Sequence, residues 1–225
     1  MVKKILTFII LTGIIVSGTS CGLIGIIASP TRHEQKIPAE FRFDRSKDVR
    51  VAVFAKQPVQ ANIGANLSYY VTKAVNIRFA KKTKLQPEQI MDYEDIAELA
   101  GKKPHLRWME DEKLIDLFGV DFLMIIDIER FNLDAMTEEG YYKGKLDGNC
   151  YLLSRQSGGR VWPGSEKSRR VTVGFELGPK GRTAALKRLA DSYAHCLVRY
   201  FYNCPKDRFN TGDDMNRTGW KQWPD

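Results

Sequence analysis

Histidine and cysteine are scarce in these 225 residues, with three of the first and four of the second. No Cys–Cys or Cys–His spacing among them is that of a zinc site, which excludes a structural zinc module. A phosphate-cradling Gly-Lys-Ser or Gly-Lys-Thr is missing, so no Walker-type nucleotide site is expected. Basic clusters are short. Lys81-Lys82 with Lys84, and Lys167-Ser168-Arg169-Arg170, lack interleaved aromatics, which argues against nucleic acid as a partner. No internal repeat is visible, so solenoids and propellers are excluded. No nucleophile–base constellation stands out, and no cofactor is expected.

What the chain does have is a greasy beginning. Met1-Val2-Lys3-Lys4 carries two positive charges, Ile5 to Val16 is apolar apart from Thr7, Thr12 and Gly13, and Ser17-Gly18-Thr19-Ser20-Cys21-Gly22 follows. Basic, apolar, small, then cysteine is the layout of an export signal. Three outcomes are compatible with it. The stretch before Cys21 resembles the lipobox of bacterial lipoproteins, in which the cysteine is acylated (palmitate among its chains) and becomes the new N-terminus; Gly18 stands where that pattern usually has Leu. Alternatively, cleavage after Ser20 or Ala28 releases a soluble protein. Or nothing is cut: Ile5 to Ser29 carries no charge, and about 20 apolar residues suffice to span a bilayer. Each outcome places the folded part outside the cytoplasm, on the periplasmic or extracytoplasmic side, and the lipid or the helix would tether it to a membrane.

The expected organisation is a signal peptide over 1–20, a tether over 21–46, one folded domain over 47–205 and a polar tail over 206–225. About 160 packed residues make one domain with an adequate core. The net charge of +8 falls to +6 if Lys3 and Lys4 leave with the signal. Spread over a surface, such a charge keeps a protein soluble.

With Cys21 lipidated, Cys150, Cys196 and Cys204 remain. Cys196 and Cys204 on one straight helix would stand roughly 12 Å apart along its axis, too far for a bridge. In an oxidising compartment the expectation is a disulfide from Cys150 to Cys204 or Cys196. The alternative is three buried thiols.

Periodicity predicts a strand over 49–55 and a helix over 63–81 capped by Asn62, with Ile63, Leu67, Tyr70, Val71, Ala74 and Ile77 on its buried face. Short helices follow over 93–100, stopped by Gly101, and over 111–118, stopped by Gly119. Residues 120–131 form a strand whose continuously apolar start, Phe122 to Ile126, must be covered on both faces. A long hairpin arm over 141–153, a turn at Ser157-Gly158-Gly159, a return strand from Arg160, a strand over 171–175 and a helix over 183–202 complete the set. The fold class expected is α/β (α+β): a small mixed, mostly antiparallel sheet with a long hairpin, packed by two long helices and short helices.

Phe118-Gly119-Val120-Asp121-Phe122-Leu123-Met124-Ile125-Ile126 and Ser157-Gly158-Gly159-Arg160-Val161-Trp162, in this order of elements, resemble the α/β domain of bacterial envelope lipoproteins such as the curli secretion protein CsgG, and the similar N-terminal domain of TolB. The resemblance covers about residues 47–204 and rests on packing motifs. It implies an envelope location and this architecture more than an activity, since such proteins serve as secretion pores, as envelope assembly factors or in roles not characterised. A CsgG-like channel needs two membrane hairpins, and this sequence offers one.

Several residues invite chemistry. Gly178 to Arg182 opens the last helix, and Lys180, Gly181 and Arg182 could contact an anion there. A loop that simply starts a helix is the plainer reading. Asp191, His195 and Cys196 could be taken for a nucleophile cluster, but the helical wheel places His195 on a solvated face, where an ion pair is expected. Asp121, Asp127 and Glu129 line one strand and would be solvated. Trp108 is expected to anchor its loop on the core. The function expected is therefore non-enzymatic: a membrane-tethered cell-envelope lipoprotein acting by protein–protein contact, with other envelope proteins or itself as partner. A subunit of a secretion assembly is the alternative, and a periplasmic hydrolase the least supported.

Overall fold

The computed structural model describes residues 35–44, 48–57, 67–137, 140–164, 166–176 and 181–210. The expected signal peptide, Cys21, Asn62 and the tail beyond 210 lie outside them. All the elements fall in one compact unit that starts at Lys36.

A mixed sheet forms the centre. Its strands are β2 (Val51–Lys56), β3 (Phe122–Ala135), β4 (Tyr142–Ser154), β5 (Gly159–Trp162) and β6 (Arg169–Phe175). β2 runs parallel to β3, and the remaining pairs are antiparallel. β5 and β6 lie end to end along the same edge of β4: β5 pairs with Leu152–Ser154 and β6 with Gly144–Cys150. The parallel pair is joined by helices α1 (Leu67–Thr83), α2 (Tyr93–Lys102) and α3 (Asp111–Phe118). Such a crossover is what parallel pairing requires.

The strand period of two sends alternate residues into two cores. Val51, Val53, Met124, Ile126, Cys150 and Leu152 face α1 and the long helix α4 (Arg182–Val198). Ala52, Phe54, Leu123, Ile125, Tyr151 and Leu153 face α2 and α3. The apolar start of β3 is covered on both sides, as its sequence requires. Gly119, at φ 63°, closes α3 in the left-handed region, where a side chain is unfavourable. α2 runs on through Gly101 to Lys102, since a lone glycine weakens a helix by about 1 kcal/mol without having to end it.

α1 is rolled from the expected face: Leu67 and Val71 are buried as expected and Tyr70 and Ala74 partly so, but Val75 and Phe79 are buried in place of Ile77. Leu67, Val71, Val75 and Phe79 point inward, while Ile77 is 48% exposed. Two apolar stripes coexist in this segment, and Phe79 decides between them by joining an aromatic cluster with Phe43 and Phe201.

Residues 36–44 do not behave as a linker. β1 (Lys36–Ile37) pairs with β7 (Cys204–Pro205), and the Glu40 amide donates to the Tyr200 carbonyl at 2.8 Å. Phe43 is buried. The polar, proline-bearing sequence hides two phenylalanines whose ring partners, Phe79, Phe122 and Phe201, all lie in later elements. At the other end, Lys206–Asn210 forms a short helix, α5, and Phe209 packs on the core.

Gly148 marks a close approach. A Cβ there would stand 2.8 Å from both the Asp127 carbonyl oxygen and the Tyr193 hydroxyl. We expect Gly148→Ala to destabilise the domain by about 1–3 kcal/mol, as overpacking does. Urea unfolding would measure it, and a loss near zero would mean that β4 sits farther from α4 than described.

Candidate contact surface

The hairpin arms β3 and β4 outrun the helices on one side. α2 and α3 cover that face of the sheet only over Leu123, Ile125, Tyr151 and Leu153. Beyond them the same face is polar: Asp127, Glu129, Arg130, Asn132 and Asp134 on β3, Lys143, Lys145, Asp147 and Asn149 on β4, Arg170 and Thr172 on β6. Along the opposite face, Leu146, Val171, Val173 and Phe175 join the core under α4. Alternation therefore gives this half of the sheet one dry face and one charged face.

Asp147 sits at the middle of the charged face and is only 1% exposed. Arg170 Nε donates to its Oδ1 at 2.9 Å, and Arg170 Nη2 binds Oδ2. Thr172 Oγ1 donates to Oδ1 at 2.9 Å. Arg130 Nε stands 3.7 Å from Oδ2. The β3–β4 register shifts between Ile128 and Arg130, a bulge that brings Arg130 opposite Asp147. Hydrogen bonding by the Arg170 guanidinium holds the Asp147 carboxyl below the usual carboxylate range, against burial, which acts the other way; Thr172 and Arg130 add to the lowering. A buried carboxylate with paired cations is a fixed, satisfied charge. It ties together β3, β4 and β6. Glu129 accepts from Asn149 Nδ2 at 2.7 Å, and Lys143 pairs with Glu176 at 2.8 Å.

The residues singled out in the sequence are not brought together. Asp121 accepts the Arg50 amide at 2.8 Å and so organises the start of the sheet, away from Asp127 and Glu129. Gly181 is the N-cap of α4, but its amide donates to the Gly140 carbonyl at 2.8 Å. The Gly181 amide is thus already committed; Arg182 is exposed, and Lys180 lies outside the described residues.

Cys150, Cys196 and Cys204 are buried and form no disulfide. The expected bridge from Cys150 to Cys204 or Cys196 is replaced by local contacts. Cys150 Sγ lies under α4, 3.1 Å from the Tyr193 hydroxyl, and Cys204 Sγ lies 3.3 Å from the Tyr202 hydroxyl. Burial pushes the Cys150 thiol up to about 12, which makes it a packing group rather than a nucleophile.

His195 is not on a solvated face. It is 4% exposed, and its Nε2 lies 3.2 Å from the Arg208 carbonyl oxygen. The segment after β7 folds back over the last turn of α4 and covers it; Arg199 donates to the Phe209 carbonyl at 2.5 Å. Asp191 does form a surface ion pair, with Arg78 of α1 at 2.8 Å. Trp162 is core. Trp108 is the reverse of its expectation: it is 74% exposed, and Leu106 anchors the turn instead.

Among the described residues no group of three or more His, Cys, Asp or Glu could hold a metal ion. No helix among them is long and apolar enough to cross a membrane. A second polar cluster, Asp111 with Tyr151 and Arg160, clips α3 to the sheet: Tyr151 donates to Asp111 at 2.9 Å, Arg160 donates to the other oxygen at 2.9 Å, and its guanidinium lies 4.0 Å from the Tyr151 ring centre.

No protein-family model matches the chain, and no curated protein matches it by sequence. Among solved structures it is similar to lipoprotein GNA1162 from Neisseria meningitidis, at 11% identity and a TM-score of 0.42, over 67% of this chain and 98% of that one. It is also similar to the PelC dodecamer from Paraburkholderia phytofirmans, at 10% identity and a TM-score of 0.38, over 68% of this chain and 88% of that one. A third is protein XCC0632 from Xanthomonas campestris, at 14% identity and a TM-score of 0.36, over 82% and 89% of the two chains.

Proposed function

We propose that this chain is a cell-envelope lipoprotein, tethered through Cys21, whose domain works by contact with another envelope protein rather than by catalysis. The leader with its cysteine supports the location. The bare charged half of the sheet supports the mode of action, and it is the observation that carries the reading. A strand face with fixed charges of both signs gives a partner register and specificity more than raw affinity. The expected occupant is an envelope protein with a face of alternating charge, bound across Asp127, Asn132 and Lys145.

The test is site-specific photocrosslinking in the source cells. A crosslinking residue placed at Asn132 or Lys145 is expected to give defined protein adducts, whereas one at exposed Lys81 on α1 is not. An adduct with a second copy would identify self-association, as in a secretion assembly. Equal yields at all three positions would end the proposal. Mass spectrometry of the mature N-terminus checks the tether independently: a diacylglyceryl-modified Cys21 is expected, and an intact Met1 would replace lipid with an uncleaved helix.

A further inference from the structure

We infer that the cleft between residues 42–44, the end of α1 and the stretch before β7 is a site for the phosphate of an anionic lipid headgroup. The inference deepens the tethered reading above and rests on it for the source of the ligand.

The cleft has a volume of about 570 Å³, with Arg42 and Asp44 on the incoming segment, Lys82 on the last turn of α1, and Tyr202 and Asn203 ahead of β7. Arg42 is exposed, and its Nη2 donates to Asn203 Oδ1 at 2.5 Å. That bond uses one of five guanidinium N–H donors. Lys82 is half-buried. Burial pushes its amine down, and Arg208, Arg78 and Lys81 push the same way, against the Cys204 thiol. A cation crowded by cations is stabilised by an incoming anion. An arginine fork beside a lysine point charge suits phosphate oxygens. Lys81 and Lys82 also complement the carbonyl end of α1, which accounts for those two but not for Arg42 and Arg208, carried in by other elements.

The charge balance favours an anion. Lys36, Arg42, Lys81, Lys82, Lys206 and Arg208 outnumber Asp44 and Asp207. Arg78 and Asp191 cancel in their ion pair, and Glu40 is taken up by Trp162 and Arg169. Adding the neighbouring cleft, with Lys84, Asp48 and Glu88, leaves the cations in excess. Position selects a lipid over a soluble phosphate. The Ala39 amide donates to Asn203 Oδ1 at 3.3 Å, and β1 pairs with β7 at Cys204, directly after Asn203. The chain therefore enters the domain beside the cleft, at Lys36, 15 residues after Cys21. Those residues span at most roughly 50 Å, so a lipid on Cys21 would hold the cleft at high effective concentration among headgroups.

The experiment titrates the full-length protein in non-ionic detergent with short-chain phosphatidylglycerol, short-chain phosphatidylcholine or glycerol phosphate, read by isothermal titration calorimetry. The intact mass of the same sample reads Cys21. Phosphatidylglycerol is expected to bind more tightly than the other two. Arg42→Gln and Lys82→Gln are each expected to weaken it about fivefold, and Lys103→Gln, exposed beyond α2, to leave it unchanged. Arg42 packs no core, so its variant reads the site even where Lys82→Gln melts early. Phosphatidylglycerol binding that ignores both cleft variants, or that is no tighter than phosphatidylcholine's, would overturn the inference. Glycerol phosphate binding as tightly as phosphatidylglycerol, with the same sensitivity to both variants, would overturn the lipid and make this a soluble-phosphate site. Failure of binding with a lipidated Cys21 would leave the tether standing, whereas binding with an unmodified Cys21 would keep the cleft and remove the lipid tether.

Discussion

Trp162→Ala is expected to cost about 3–5 kcal/mol, among the largest losses available to a single substitution in this domain. Trp162 is 1% exposed. Its ring centre lies 4.9 Å from that of Phe201 and 5.6 Å from that of Tyr200. Around them Phe41, Phe43, Phe79 and Phe122 make edge and stacked contacts. Truncation would open a cavity that rigid rings cannot collapse into. It would also remove a hydrogen bond. Trp162 Nε1 donates to Glu40 Oε2 at 2.9 Å, and Arg169 donates to the same oxygen at 3.1 Å. Glu40 would keep its arginine but lose the indole, and residues 36–44 would lose a main attachment. Trp162→Phe separates the two effects: it keeps most of the packing and is expected to cost about 1–2 kcal/mol, mostly the lost hydrogen bond. Guanidinium unfolding of both variants provides the measurement. A loss below about 1 kcal/mol for the alanine variant would mean that the cluster is not a unit and that 36–44 is held some other way.

The second large effect is on pH dependence. Burial lowers the His195 imidazole to about 4 from its ordinary 6.5, and the cationic side chains of Arg78, Arg199 and Arg208 push the same way; the hydrogen bond to the Arg208 carbonyl acts in opposition. The folded protein thus holds His195 neutral where the unfolded chain would protonate it. Its contribution is complete above pH 6.5 and is lost as pH falls toward 4. Over that window the linkage is worth roughly 3 kcal/mol. His195→Gln keeps an amide donor for the Arg208 carbonyl and removes the titration. The native protein should therefore lose stability between pH 6.5 and 4 faster than the variant, and the gap between the two isolates this histidine from the carboxylates that titrate in the same range. Parallel pH profiles would show that segment 204–210 does not cover the end of α4.

Much of the architecture is legible in local sequence. The continuous apolar run Phe122 to Ile126 specifies a strand covered on both faces, because period-two alternation leaves no polar side. Gly119 ends α3 because only a residue without Cβ enters the left-handed region freely. The order of elements and the long hairpin follow from the same short-range rules. The charged contact surface was half legible: Asp127 and Glu129 read as solvated and are exposed, but nothing in the local sequence marks Asp147 as buried. Its burial depends on the bulge at β3, which aims Arg130, and on β6, which supplies Arg170.

The set of elements, the two-sided burial of the central strand and the export-type leader are written in local sequence, since each depends on neighbours within a turn, a strand or one apolar run. The buried face of α1, the shielding of His195, the separate tyrosine contacts of Cys150 and Cys204, the place of residues 36–44 in the core and the exposure of Trp108 come from packing. The buried face of α1, the shielding of His195, the Cys150–Tyr193 contact and the place of residues 36–44 are set by partners far away in the chain, whereas Cys204 meets Tyr202 two residues off. Helical and strand periods say that a face is apolar or polar, but not what folds back to cover it.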